Sequence, residues 1–175
     1  VPYEDGGFRT DAPTCPQLAF HMLCSQAVIK KRRLHTFDCK TAFLTGKDQD
    51  RDIYCYPPKE GLPGVAPGSL LKLVKGAYGL REAPRLWYLR AREVLNEAGF
   101  EEMQTARACF VVMDRSQEKP VNVGMLVLHV DDACFAGEGP VWEKAMQHLR
   151  KKFIIGKEEY DEFQFLGRRV VQKKD

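Results

Sequence analysis

The stretch from Val123 to Gly137 constrains this chain most. Val123-Gly124-Met125-Leu126-Val127-Leu128 is apolar and β-prone, and a second apolar run, Ala133-Cys134-Phe135-Ala136, closes at Gly137. Between them stand His129-Val130-Asp131-Asp132. Two such runs with so short a spacer predict a tight β-hairpin. Acids in a turn are usually solvated and bond their own backbone. Here both flanks suit interior strands, which sets two carboxylates at the rim of a packed sheet. Carboxylates held together repel, and a cation between them relieves the repulsion. On the hairpin alone a solvated turn outweighs a metal site, and a third acid shifts that balance.

The remaining sequence predicts a packed host for the hairpin. With 44% hydrophobic and 29% charged residues among 175, the chain is one ordinary domain, or part of a larger one, and not a disordered segment. A net charge of +3 neither demands nor excludes a polyanionic partner. Six cysteines form no C-x-x-C pair and sit largely in apolar segments. They read as reduced thiols of an intracellular protein, not zinc ligands or disulfides. No apolar run reaches membrane-spanning length, so no membrane partner is expected. The start, Val1-Pro2-Tyr3, lacks both a signal peptide and a methionine, and reads as the edge of an excised piece.

Residues 1–13 read as an irregular lead-in. A helix is expected from Thr14 and Pro16, with Leu18, Ala19, Met22 and Ile29 in its apolar rhythm and a solvated basic end at Lys30–Arg33. Leu34–Cys39 alternates as a strand leading into Asp38, and residues 40–46 turn out of it. Strands over 53–56 and 70–75 flank a Gly- and Pro-rich loop. A helix over 83–98 carries the stripe Trp87, Tyr88, Ala91, Val94, Leu95 and Ala98, read as core, with Gly99 as its stop. A strand over 108–113 precedes the hairpin. Pro140 opens a helix with Val141, Ala145, Leu149 and Phe153 inward, and one last strand covers the segment from Phe163 to Val171. The order is α+β: antiparallel strands with helices on one face. Residues 46–82 are an excursion between two halves of the sheet.

Asp38 is the third acid. If its strand neighbours the hairpin, three carboxylates converge at one end of the sheet. With no His or Cys cluster beside them they suit Mg²⁺ or Mn²⁺ rather than zinc. Two such ions, roughly 3.5–4 Å apart, promote phosphoryl transfer by activating a hydroxyl and neutralising the leaving group.

Four blocks then resemble one family. Phe37-Asp38-Cys39-Lys40-Thr41-Ala42-Phe43-Leu44-Thr45-Gly46 is similar to the D-V-K-T-A-F-L-N-G block of copia-type retrotransposon reverse transcriptases. Tyr78-Gly79-Leu80-Arg81-Glu82-Ala83-Pro84-Arg85-Leu86-Trp87-Tyr88 resembles their Y-G-L-K-Q-A-P-R-x-W-Y. His129-Val130-Asp131-Asp132 stands where they have Y-V-D-D, and Phe165-Leu166-Gly167 resembles a later F-L-G block. The blocks keep the family's order across about residues 11–171.

The resemblance implies an RNA-directed DNA polymerase: a right-hand palm (14–45 and 83–175) with part of the fingers (46–82), lacking thumb, RNase H and integrase regions. It implies two Mg²⁺ or Mn²⁺ ions on Asp38, Asp131 and the Cys39 carbonyl, with Asp132 in support. It implies dNTP contacts from Lys40, Thr41, Ala42 and Phe43, the last an aromatic gate against ribose, and from Tyr78 and Gly79 beside the base. Arg81, Arg85, His129 and Val130 fall to the nucleic acid. Partners are an RNA or DNA template with its primer, dNTPs and the rest of a Pol polyprotein, in cytoplasmic virus-like particles. His129 departs from the family's tyrosine. Glu82 departs from its glutamine, placing an acid near a polyanion path. A folded, non-catalytic remnant and another two-metal palm enzyme, such as a nucleotidyl cyclase, are the alternative readings.

Overall fold

A computed structural model describes residues 10–173. Part of the expected lead-in (residues 1–9) and the end of the charged tail (174–175) lie outside the described residues. The elements in order are α1 (Gln17–Ile29), β1 (His35–Cys39), a 3₁₀ turn (Ala42–Thr45), β2 (Asp48–Cys55), β3 (Leu71–Lys75), α2 (Ala83–Glu97), β4 (Phe100–Glu102) and β5 (Cys109–Asp114). Then follow β6 (Val121–His129), β7 (Asp132–Gly137), α3 (Pro140–Lys152), β8 (Ile155–Tyr160), β9 (Glu162–Phe165) and β10 (Arg168–Val171).

Six strands form one antiparallel sheet in the order β4-β5-β6-β7-β1-β8. The expected antiparallel α+β sheet is therefore present, and β1 lies between the acidic hairpin and β8. Strand residues alternate between faces, and the core divides accordingly. Leu126, Leu128 and Phe135 pack with Trp87, Val94 and Leu149 of α2 and α3. Met125, Val127 and Cys134 pack with Phe20 and Leu23 of α1 and with Phe163 and Phe165 of β9.

The helices thus cover both faces, against the expectation of one. α1 is apolar almost all round, so periodicity could not choose its inner side. It buries Ala19, Phe20, Leu23 and Ala27 and exposes Leu18, Met22 and Ile29. Thr14 does not cap it; Pro16 stands at the N-cap with no side-chain bond. α3 likewise turns Trp142, Ala145, Met146 and Leu149 inward and leaves Val141 exposed. Trp142 lies across Gly124 and Gly137, a facing pair on β6 and β7; a Cβ on either glycine would stand 2.1 Å from its ring.

The basic run after α1 is not solvated throughout. Arg32 is buried, donating from Nε to Glu138 Oε1 at 2.9 Å and from Nη2 to the Asn122 carbonyl at 3.0 Å. Arg33 pairs with Asp161 and lies over the Tyr160 ring. The expected last strand is two, β9 and β10, joined through Leu166-Gly167 with φ of 51° and 68°. Positive φ at both positions marks a primed hairpin turn. Among the described residues β2 and β3 pair only with each other, and they enclose the Gly- and Pro-rich loop. Among the described residues no helix is long and apolar enough to cross a membrane. The described cysteines are free thiols. Burial pushes Cys15 up to about 11 and Cys109 up to about 12, which keeps both protonated.

Candidate active site

β6 and β7 meet with His129 opposite Asp132, leaving Val130 and Asp131 as a two-residue turn. Val130 has φ of 57°, a region that β-branched residues rarely occupy. Such a residue persists where its surroundings over-determine it. Here the Trp87 indole N–H donates to the Val130 carbonyl at 2.8 Å, and the Cys39 amide donates to the Asp131 carbonyl at 2.8 Å. α2 and β1 together hold the turn. Trp87 is core, as its stripe predicts, and is also the turn's tether.

Asp38 pairs with Asp132 across β1 and β7. Facing residues on neighbouring strands point to the same side of a sheet, so these two acids share a face, with Asp131 beside them in the turn. Asp132 reaches solvent, yet its carboxyl pKa is raised, first by desolvation and then by the charges of Asp131 and Asp38. Burial, followed by the charges of Asp131, Asp38 and Asp132, pushes the Cys39 thiol up to about 12. Three hard anionic donors that repel one another have the chemistry for a divalent cation. They are not gathered around one point: among the described residues no three His, Cys, Asp or Glu side chains form a group that could hold a metal ion. Asp38 leans instead toward β8, where its Oδ1 accepts the Lys157 amide at 2.7 Å.

The other expected site residues fall as follows. Phe43, in the 3₁₀ turn, meets Tyr78 edge-on with ring centroids 4.8 Å apart, and Tyr78 is exposed. The two blocks that carry these rings therefore come together. Gly79 has φ of 92° and no atom within 4 Å of a Cβ built on it, so its backbone conformation is what favours glycine. The Lys40 amide is already committed to the Ile154 carbonyl at 2.8 Å. The amides of Thr41, Ala42 and Phe43 lie at the start of the 3₁₀ turn, where first amides have no partner inside the helix. Arg81 is exposed. Arg85 donates to the Asp11 carbonyl at 3.1 Å and approaches its carboxylate at 3.4 Å. His129 is half-buried, and its buried Nδ1 has no hydrogen-bond partner among the described residues.

Glu82 differs from its expected role. It is buried, and Arg51 of β2 bonds its carboxylate, with Nε donating at 3.1 Å. Burial pushes its pKa up, but the Arg51 bond and charge, with a backbone bond, outweigh that and hold it below the ordinary value. The charge is therefore neutralised inside the protein. Gly156 and Lys157, which hold Asp38, went unrecognised in the sequence because Lys157-Glu158-Glu159 has no apolar alternation to mark a strand.

The sequence matches the reverse transcriptase (RNA-dependent DNA polymerase) family over residues 5–175. It is 26% identical over 160 residues to the retrovirus-related Pol polyprotein from transposon RE1 of Arabidopsis thaliana, covering 91% of this chain and 10% of the polyprotein. It is 27% identical over 164 residues to that from transposon TNT 1-94 of Nicotiana tabacum, covering 93% and 12%. A putative transposon Ty5-1 protein of Saccharomyces cerevisiae is 26% identical over 142 residues, covering 79% of this chain and 43% of that one. The chain spans about a tenth of the length of the two plant polyproteins.

Proposed function

Because the chain belongs to the reverse transcriptase (RNA-dependent DNA polymerase) family, we propose that it is the polymerase domain of a copia-type Pol polyprotein. It would add dNTPs to a primer 3′-hydroxyl on an RNA or DNA template. One observation carries the reading: Asp38 faces Asp132 across adjacent strands, with Asp131 in the turn beside them. In this reading the six-stranded sheet with its helices (14–45 and 83–175) is a palm. The β2–β3 hairpin and its flanks (46–82) belong to the fingers.

In the reaction the primer oxygen would bond to the α-phosphorus as the bond to pyrophosphate breaks, and the hydroxyl's proton would pass to solvent. Asp38 and Asp131, with the Cys39 carbonyl, would hold two Mg²⁺ or Mn²⁺ ions, and Asp132 would add charge beside them. Bound divalent cations lower the pKa of the attacking hydroxyl and neutralise the leaving pyrophosphate. The chain's own residues supply position. Phe43, braced by the edge of Tyr78, would lie flat under the sugar and leave no room for a ribose 2′-hydroxyl. The amides of Thr41, Ala42 and Phe43 would face the triphosphate; Lys40 would not, its amide being bonded to Ile154. Gly79 would lie by the base. Arg81, His129 and Val130 would border the nucleic acid, and Arg85 would reach a phosphate only by releasing Asp11. The remainder of the polyprotein and a cytoplasmic virus-like particle complete the setting.

The test is primer extension on an RNA template with dNTPs and MgCl₂, comparing the chain with Asp131→Asn. Extension by the native chain, reduced roughly 10³-fold in the variant, is expected, since several kcal/mol of transition-state stabilisation depend on the ions. Equal traces from both proteins contradict the mechanism. A folded remnant is the second reading, favoured by the absence of a closed three-acid cluster among the described residues. It predicts no extension by the native chain.

A further inference from the structure

β8 departs from regular pairing beside the catalytic acid. On β1, Phe37 faces Glu158 and Cys39 faces Ile155. Two steps along β1 therefore span three along β8, and the extra residue of this bulge falls at Gly156-Lys157, opposite Asp38. The Asp38 carboxylate occupies the space so made. A Cβ on Gly156 would stand 2.3 Å from Oδ2, 2.5 Å from Oδ1 and 2.7 Å from Cγ, closer than real atoms approach. The Lys157 amide donates to Oδ1 at 2.7 Å. The Lys157 ammonium is turned to Glu159 at 2.5 Å, so among the described residues it is the main chain that holds the acid.

We propose that Gly156 and the Lys157 amide are positioning residues that set Asp38 for divalent-cation binding. The proposal rests on the polymerase reading of the acids. Its physical logic is preorganisation: a ligand whose orientation is already fixed loses less freedom when a cation binds, and the bulge fixes Asp38 on the face it shares with Asp132. One carboxylate oxygen is fixed by a charge-assisted bond, and Oδ2 remains for the ion. Partners of this kind behind a metal ligand typically contribute 10- to 100-fold in affinity. Glycine is required at 156 because any Cβ displaces the carboxylate or the strand.

Mn²⁺ binding to the full chain, followed by loss of the free-ion paramagnetic resonance signal, tests this with Gly156→Ala and Asp38→Asn in parallel. Gly156→Ala is expected to weaken binding at least about tenfold toward the Asp38→Asn value, with helix content unchanged by circular dichroism. Native affinity in Gly156→Ala, alongside lost affinity in Asp38→Asn, overturns the cradle and leaves the cation site standing. Equal binding by the native chain and Asp38→Asn overturns the cation reading and the cradle together. A second measurement needs no change at Gly156. The Lys157 amide proton of the native chain should resonate downfield and stay there on adding MgCl₂, whereas in Asp38→Asn it should move upfield. A native resonance that MgCl₂ shifts to the Asp38→Asn position shows that the ion breaks the bond, and overturns the proposal.

Discussion

Two groups of acids in this fold meet opposite fates. Glu82 is buried at the start of α2 and has Arg51 as its counter-ion, while Glu102 accepts bonds from Tyr88, Arg107 and the Ala108 amide. Asp38, Asp131 and Asp132 lie at the ends of β1 and the β6–β7 turn with no side-chain cation on them among the described residues. The first group completes its own electrostatics, and its carboxyl groups are held below their ordinary pKa. The second raises Asp132. The first group is neutralised from within the fold; on the proposed reading the second takes its countercharge from bound cations.

The contrast breaks most visibly through α2, which touches both regions. Trp87 is buried against Phe153 and tethers Val130. Trp87→Ala should cost about 3–5 kcal/mol through the cavity left behind. Trp87→Phe should cost about 1–3 kcal/mol, because the Val130 carbonyl loses its donor. Denaturant unfolding measures both, and losses under 0.5 kcal/mol (about the noise for surface changes) would mean the turn needs no tether.

The paired and unpaired acids should respond to neutralisation with opposite signs. Glu82→Ala should destabilise by roughly 1–3 kcal/mol, less than for a fully buried pair because Arg51 is half exposed. The pH dependence follows from Glu82's depressed pKa. Its stabilisation is complete above the unfolded value, near 4.5, and is lost as pH falls through the lower folded value. Unfolding titrations of the native chain should show that loss, and those of Glu82→Gln should lack it. Asp132→Asn, by contrast, should raise the melting temperature of the cation-free chain by about 1–3 °C at pH 7, a surface-charge effect of under about 1 kcal/mol. A raised carboxyl pKa costs stability above that pKa, so the gain should vanish as pH falls through it. The smallest effect sharpens the contrast further. MgCl₂ should raise the melting temperature of the native chain by mass action and shift Asp132→Asn less.

How much of this was legible followed from how strongly each segment's pattern was determined. β1, the acidic hairpin and α2 were readable because alternation or a single apolar stripe left one solution, and Asp38 facing Asp132 follows from that pairing. α1 was not, since Leu18 and Met22 compete with Phe20 and Leu23 for the same inner face and only the fold decides. The first half of β2, Asp48–Asp52, and the body of β8 are charged strands whose residues give no alternation. β9 and β10 merged because Leu166 disguises a turn position that normally calls for Asn, Asp or Gly. The neutralisation of Glu82 is not legible for a different reason: its partner Arg51 lies 31 residues away on a charged strand segment without alternation. The blocks carrying Phe43 and Tyr78 were legible as motifs, while their contact required the folded chain.

On the proposed reading Asp38, Asp131 and Asp132 receive divalent cations. Crystals of the chain with template–primer, a dNTP and MnCl₂, measured for anomalous scattering at the manganese edge, test it most directly. The account predicts manganese ligated by the carboxylates of Asp38 and Asp131. Density for nucleotide and primer with no manganese on either carboxylate would contradict it.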